Sequence, residues 1–225
     1  MMSISLAVLF DMDGTLLQTE RMSTPAFQKT FEQLSEKGLW DQETPSEKEL
    51  TNVLGMTLEE LWEKLLPGAS EEIRRLADEL MLENELLLLK QGITDLYPGV
   101  REVLQELHAG GASLFVASNG QERYIDEVCE YFQIKRYFTD LYSAGRFGTE
   151  TKKELVAKLL RDYDVKQAIM VGDRHSDVEA GLANGLKTIA CDFGFARPGE
   201  LDGADVIITR FSDVLPHVLQ RQETK

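Results

Sequence analysis

Asp11-Met12-Asp13-Gly14-Thr15 places two carboxylates two positions apart, directly behind the apolar run Leu6 to Phe10. A run of that length and character reads as a strand buried on both faces. In extended geometry Asp11 and Asp13 lean to the same side. Carboxylates forced together repel unless a cation or a proton intervenes. Gly14 permits a tight reversal without a Cβ penalty, and Thr15 adds a hydroxyl and an N–H that can face an anion. The arrangement predicts a metal site at the carboxyl end of a central strand, where open α/β sheets bind ligands. A lone Asp-x-Asp is weak evidence, but the strand followed by Asp-x-Asp-Gly-Thr is far more specific.

Three further groups fall at or just beyond other strand ends. Ser118-Asn119-Gly120 follows the apolar run Leu114 to Ala117, and a hydroxyl with loop N–H groups there suits a phosphate oxygen. By itself the tripeptide is only a turn. Lys152 and Lys153 open a helix capped by Thr151, where the macrodipole disfavours cations. A lysine placed against that field points to an anionic partner, although two solvated lysines would look the same in sequence. Gly172-Asp173-Arg174-His175-Ser176-Asp177 follows the apolar run Ala168 to Val171. Asp173 and Asp177 are hard oxygen ligands suited to Mg²⁺. His175 between them is read as a bystander, because Mg²⁺ prefers oxygen.

The elements that must position these groups are of two kinds. From Gln18 to Gln91 the pattern is helical, with about four helices and short links, a small helical bundle. Phe27, Phe31 and Leu34 form one stripe, with Gly38 ending that helix. Thr44-Pro45-Ser46-Glu47 reads as an N-cap, a first-turn proline and a capping-box Glu, and Thr57 to Glu60 as a second capping box. Ser70 caps a long helix running to about Lys90. Helical spacing assigns Trp40 and Trp62 to the core rather than to a substrate pocket. From Tyr97 onward, short apolar strands alternate with amphipathic helices. That alternation implies βαβ units and a parallel sheet covered on both faces. The helical block therefore interrupts an α/β domain directly after its first strand.

Composition narrows the partners. The chain has 225 residues, a hydrophobic fraction of 43% and a net charge of −15. That is enough apolar material for a sizeable core. An acidic surface of this kind repels nucleic acid and anionic membrane, so neither is an expected partner. An anionic substrate then needs local positive charge. Cys129 and Cys191 lack metal-ligand spacing and read as buried thiols in a reducing compartment. Met1 to Ser5 does not read as a signal peptide, and no apolar run reaches a membrane span. The expectation is a soluble cytoplasmic protein, monomeric or a weak homodimer.

The four motifs, in this order, resemble those of the haloacid dehalogenase (HAD) superfamily in its phosphatase branch, and are similar to phosphoglycolate phosphatases. The resemblance implies a Rossmann-like parallel sheet of order 5-4-1-2-3 with an inserted helical cap. The core would comprise residues 1–17 and 93–225, and the cap 18–92. It implies catalytic roles for Asp11, Asp13 and Lys152, with phosphate bound by Ser118, Asn119 and Lys152. Mg²⁺ would be held by Asp11, the Asp13 backbone carbonyl, Asp173 and, directly or through water, Asp177. Asp11 would attack phosphorus, and Asp13 would protonate the leaving alkoxide and then take a proton from water. Asp11, Asp173, Asp177 and a phosphate dianion carry about −5 against +1 from Lys152, and Mg²⁺ brings the site near −2. The cap would close over the leaving group of a small phosphorylated metabolite.

Two departures stand out. Many relatives write the third motif Lys-Pro; here Lys152-Lys-Glu-Leu-Val156 points to Lys152, with Lys153 as the fallback. Asp192-Phe-Gly-Phe-Ala196 replaces the aromatic-Gly-x-Gly loop of several relatives. Arg123, Arg146 and Arg174 near the core loops, and Thr19, Glu20 and Arg21 at the start of the helical block, are candidates for substrate contact, although each reads first as a surface or structural residue. A sugar phosphomutase shares every core motif and is the alternative enzyme. A non-catalytic binding protein on the same fold is the alternative outside enzymes. Asp13 argues against a dehalogenase, which lacks that acid/base carboxylate.

Overall fold

The computed structural model describes residues 3–53 and 55–219. Along the chain run β1 (Ala7–Phe10), α1 (Glu20–Glu36), α2 (Glu47–Asn52), α3 (Leu58–Leu65), α4 (Glu71–Lys90) and α5 (Val100–Ala109). Then come β2 (Ser113–Ser118), α6 (Glu122–Tyr131), β3 (Phe138–Ser143), α7 (Ala144–Phe147), α8 (Lys152–Asp162) and β4 (Ala168–Gly172). The chain ends with α9 (His175–Ala183), β5 (Lys187–Cys191), β6 (Val206–Ile208) and α10 (Val214–Leu219). Two compact units result, Met1–Leu17 with Leu96–Lys225, and Gln18–Asp95.

The first unit is built on one parallel sheet of order β3-β2-β1-β4-β5-β6. This is the 5-4-1-2-3 order with β6 added beside β5. β1 and β4 are buried along their whole length, as their uninterrupted apolar sequences require. Successive side chains of β1 feed the two faces of the sheet. Ala7 and Leu9 pack with Phe115, Met170 and the Leu155-Val156-Leu159 stripe of α8. Phe10 packs on the rings of Phe138 and Phe211. The 192–196 loop is anchored from inside this unit, since Phe193 lies against Tyr97 with ring centroids 4.3 Å apart. Phe195 on the same loop remains exposed.

The second unit is a bundle of α1 to α4. Phe27, Phe31 and Leu34 of α1 are buried with Trp40, Trp62 and Leu65 in one apolar cluster. The two tryptophans are thus core, and the Trp62 indole N–H donates to Asp78 at 3.2 Å. Asn84 of α4 is a buried polar residue whose amide donates to Thr30 and Gln33 of α1. Thr57 and Glu60 form the expected capping box, and the Ser70 hydroxyl accepts from the Ile73 N–H. The cap of α2 differs from expectation. The helix starts at Glu47, and the Glu49 carboxylate accepts from both the N–H and the hydroxyl of Ser46. Ser46-x-x-Glu49, rather than Thr44-x-x-Glu47, is the box. Proline at 45 then precedes the cap residue instead of opening the helix.

The break between the units falls after Asp95, three residues beyond the break expected after Gly92. The two connecting strands of chain run side by side there. The Gln18 N–H donates to the Asp95 carbonyl at 2.9 Å, and the Thr94 hydroxyl donates to the Gln18 carbonyl at 2.8 Å.

Candidate active site

The register of the sheet sets the site. Phe10 of β1 lies opposite Val116 of β2 and Val171 of β4. The residues that follow, Asp11, Ser118 and Asp173, therefore gather at the carboxyl ends of three neighbouring strands. The Asp11 N–H donates to the Val171 carbonyl at 2.9 Å, which continues the ladder one residue past β1. The chain then reverses sharply. The Met12 carbonyl accepts from Leu16 and Leu17, and Gly14, at φ +75°, donates to the Leu17 carbonyl. This returns the backbone without carrying Asp13 along the strand.

Asp11, Asp173 and Asp177 form a buried cluster in which one carboxylate oxygen from each lies within 4.8 Å of the others. Lys152 completes it, with Nζ 2.9 Å from Asp11 and 2.5 Å from Asp177. Lys153 instead sits on the surface, 3.5 Å from Glu179. Thr151 caps α8 by accepting from the Glu154 N–H, which directs Lys152 inward from the first turn. Burial pulls the Lys152 ammonium down, yet Asp11 and Asp177 beside it hold it above the ordinary lysine value. Burial pushes the Asp177 carboxyl up to about 6, against the pull of Lys152. Burial also pushes Asp173 well above the usual carboxylate range, opposed by Arg174 and reinforced by Asp11 and Asp177.

Two glycines make room for these carboxylates. A Cβ on Gly14 would fall on the Asp173 carboxylate, and a Cβ on Gly172 on that of Asp177. Three hard oxygen donors, crowded behind glycines and with two of them pushed toward protonation, fit a divalent cation such as Mg²⁺.

The Asp13 carboxylate is not one of the three. Its Oδ1 accepts from the Tyr124 hydroxyl at 2.7 Å. The two motif aspartates therefore occupy different surroundings, and the same-side lean expected of an extended chain ends at the turn. The family resemblance implies a metal contact of Asp13 through its backbone carbonyl, which would leave its side chain for other work. Ser118, the last residue of β2, and Asn119 after it are buried, and the Ser118 hydroxyl accepts from the Gly120 N–H at 3.2 Å.

The anion that the fully buried Thr15 hydroxyl meets lies within the site: it donates to Asp173 Oδ1 at 2.9 Å. Arg174 is tied down as well, with Nε 3.2 Å from Asp173 and Nη1 3.5 Å from Glu200. Arg146 is similarly engaged with Asp140 and Glu122. Tyr124 and Glu200 carry no mark in the sequence. Each meets the site only through folding, Tyr124 across 111 positions.

The sequence model for haloacid dehalogenase-like hydrolases matches residues 8–191. Protein CbbY of Cereibacter sphaeroides is 27% identical, over 92% of this chain and 93% of its own. A phosphoglycolate phosphatase of Aquifex aeolicus is 26% identical, over 84% of this chain and 86% of its own. The crystal structure of CbbY from Rhodobacter sphaeroides in complex with phosphate has the same fold, with a TM-score of 0.77 at 23% identity, covering 92% of this chain and 95% of that one. With residues 8–191 matched, and with that fold, the chain belongs to the haloacid dehalogenase-like hydrolase family.

Proposed function

We propose that this protein is a Mg²⁺-dependent phosphatase that hydrolyses a small phosphate monoester through an aspartyl-phosphate on Asp11. The observation that carries this reading is the separation of the two motif aspartates. Asp11 lies buried between Lys152 and two further carboxylates, while Asp13 is held apart by Tyr124. Phosphoglycolate phosphatases among the relatives, and a relative crystallised with phosphate, agree with it.

The residues that would hold the cation are Asp11, Asp173 and Asp177, with the Asp13 backbone carbonyl implied by family resemblance. When bound, it neutralises carboxylate and phosphate charge that otherwise repel. An Asp11 carboxylate oxygen attacks phosphorus, and the bond from phosphorus to the ester oxygen breaks. Asp13 gives its proton to the departing alkoxide. Asp13, now a carboxylate, takes a proton from water, and the oxygen of that water attacks phosphorus. The bond from Asp11 to phosphorus breaks, inorganic phosphate leaves, and Asp13 is protonated again. Lys152 holds Asp11 in place and offers positive charge to the phosphoryl oxygens. Ser118, Asn119 and loop N–H groups bind the remaining oxygens. Thr15 fixes Asp173, and the Arg174 N–H fixes Asp177 from 2.9 Å.

The test is a phosphate-release screen over phosphoglycolate, sugar phosphates, nucleoside monophosphates and p-nitrophenyl phosphate. Release should require Mg²⁺, stop with EDTA, and return with Mg²⁺ or Mn²⁺ but not Ca²⁺, which is larger and takes more ligands. Isomerised sugar phosphate without free phosphate would replace hydrolysis with a phosphomutase reaction. Full activity after exhaustive chelation would remove the metal from the mechanism.

A further inference from the structure

We propose that Tyr124 is a positioning residue for Asp13, holding its carboxylate in the one orientation from which it can exchange a proton with leaving group and water. The inference rests on the acid/base reading of Asp13 and extends it to a residue outside the four motifs. Asp13 stands on a turn and is only half-buried. Tyr124 is 4% exposed and sits in the first turn of α6, directly behind the Ser118-Asn119-Gly120 loop. Its ring is therefore fixed by packing, and its hydroxyl delivers a donor to Asp13 Oδ1 at 2.7 Å. That length is within the range of a charge-assisted O–H···O⁻ bond. A phenol supplies this bond without adding charge to the site.

The same contact ties together two of the loops that leave the carboxyl ends of neighbouring strands. The Asp13 turn follows β1, and Tyr124 follows β2. The acid/base group is thereby referenced to the loop that carries Ser118 and Asn119. Misplacing a reacting group by about 1 Å costs on the order of 10²-fold in rate. Loss of a hydrogen bond that only restricts torsions should cost less, about tenfold.

The experiment compares wild type, Tyr124→Phe, Asp13→Asn and the double variant on p-nitrophenyl phosphate with Mg²⁺, by stopped-flow absorbance and intact mass of quenched samples. The nitrophenolate leaving group does not need a proton, so Asp13 acts only in hydrolysis of the phosphoenzyme. Tyr124→Phe should show a burst of nitrophenolate, about tenfold lower kcat, a little-changed burst rate, and a phosphoryl mass on the protein. In the Asp13→Asn background the same substitution should cost nothing more, because there is no proton transfer left to position. Wild-type turnover by Tyr124→Phe would overturn the proposal. So would losses that multiply in the double variant, or a slowed burst, since each marks a structural role. Near-normal turnover by Asp13→Asn itself would overturn the acid/base reading beneath it, a distinct result. Phenylalanine keeps the packed ring, and circular dichroism melts verify that all variants fold.

Discussion

The Lys152 ammonium stands 2.9 Å from the Asp11 carboxylate, in a place from which solvent is almost wholly excluded. Its neighbour Lys153 reaches Glu179 on the surface. Lys152→Ala should therefore lower kcat by at least about 10²-fold, because it removes charge stabilisation where the phosphoryl group is transferred. Lys153→Ala should stay within about twofold of wild type, as for an exposed ion pair worth little. Steady-state kinetics on both variants decide it, and the reverse order would place the functional lysine one residue later.

Gly172 ends β4 where a Cβ would collide with the Asp177 carboxylate. Gly172→Ala should displace Asp177 from the cluster and from the Arg174 N–H. Overpacking of this kind costs about 1–3 kcal/mol. The expected outcome is a lowered melting temperature together with loss of Mg²⁺ binding in a calorimetric titration. A variant that binds Mg²⁺ as wild type does would show that Asp177 is not needed to hold the cation.

The metal should also leave a pH signature in stability. Burial raises Asp177 from 3.8 to about 6 in the folded chain. The folded state thus holds this proton more tightly than the unfolded one. The resulting stability is complete below pH 3.8 and is lost as pH rises through about 6. Asp173 is shifted in the same direction by burial. A cation competes for those carboxylates with protons. The rise in melting temperature on adding Mg²⁺ should therefore be small at pH 5 and larger at pH 7.5. Thermal melts with and without Mg²⁺ at both pH values measure it, and an equal rise at both would contradict the assignment.

The four motifs were legible because each is contiguous, and those at Asp11, Ser118 and Asp173 follow an uninterrupted apolar strand; the sheet order came only from the family resemblance that the motifs carry. A strand buried on both faces leaves little choice of period, and its end is the point where polar residues resume. Lys152 is favoured over Lys153 because Lys152-Lys-Glu-Leu-Val156 fits a variant of the family motif, and Leu155 and Val156 are indeed on the buried face of α8. Other features depend on packing between distant segments. The Tyr124 hydroxyl, the Arg174 pairing with Asp173 and Glu200, and the Asn84 network have no local pattern to announce them. The start of α2 failed for another reason. Two overlapping capping boxes are written in residues 44–49, and only the folded chain selects Ser46 with Glu49. Thr15 was read by its chemistry alone. Its hydroxyl suits an anion, and the anion it meets is the Asp173 carboxylate.

The different surroundings of Asp11 and Asp13 lead to the last prediction. On the proposed mechanism Asp11→Asn removes the nucleophile, so it should abolish turnover of every ester and take up no phosphoryl group. Asp13→Asn keeps the nucleophile beside Lys152 but loses the proton carrier beside Tyr124. With an alkyl phosphate such as phosphoglycolate, the leaving alkoxide needs that proton, and the first step should fail. With p-nitrophenyl phosphate the leaving group departs unprotonated, and Asp11 should still be phosphorylated. Hydrolysis of the phosphoenzyme then lacks its base. The expected trace is a burst of about one nitrophenolate per enzyme followed by slow turnover, the signature of a covalent mechanism with a slow second step. Intact-mass measurement should find the added phosphoryl group on Asp13→Asn and none on Asp11→Asn. If neither variant is labelled and Asp13→Asn still turns over alkyl phosphates at a near-normal rate, proton transfer does not run through Asp13.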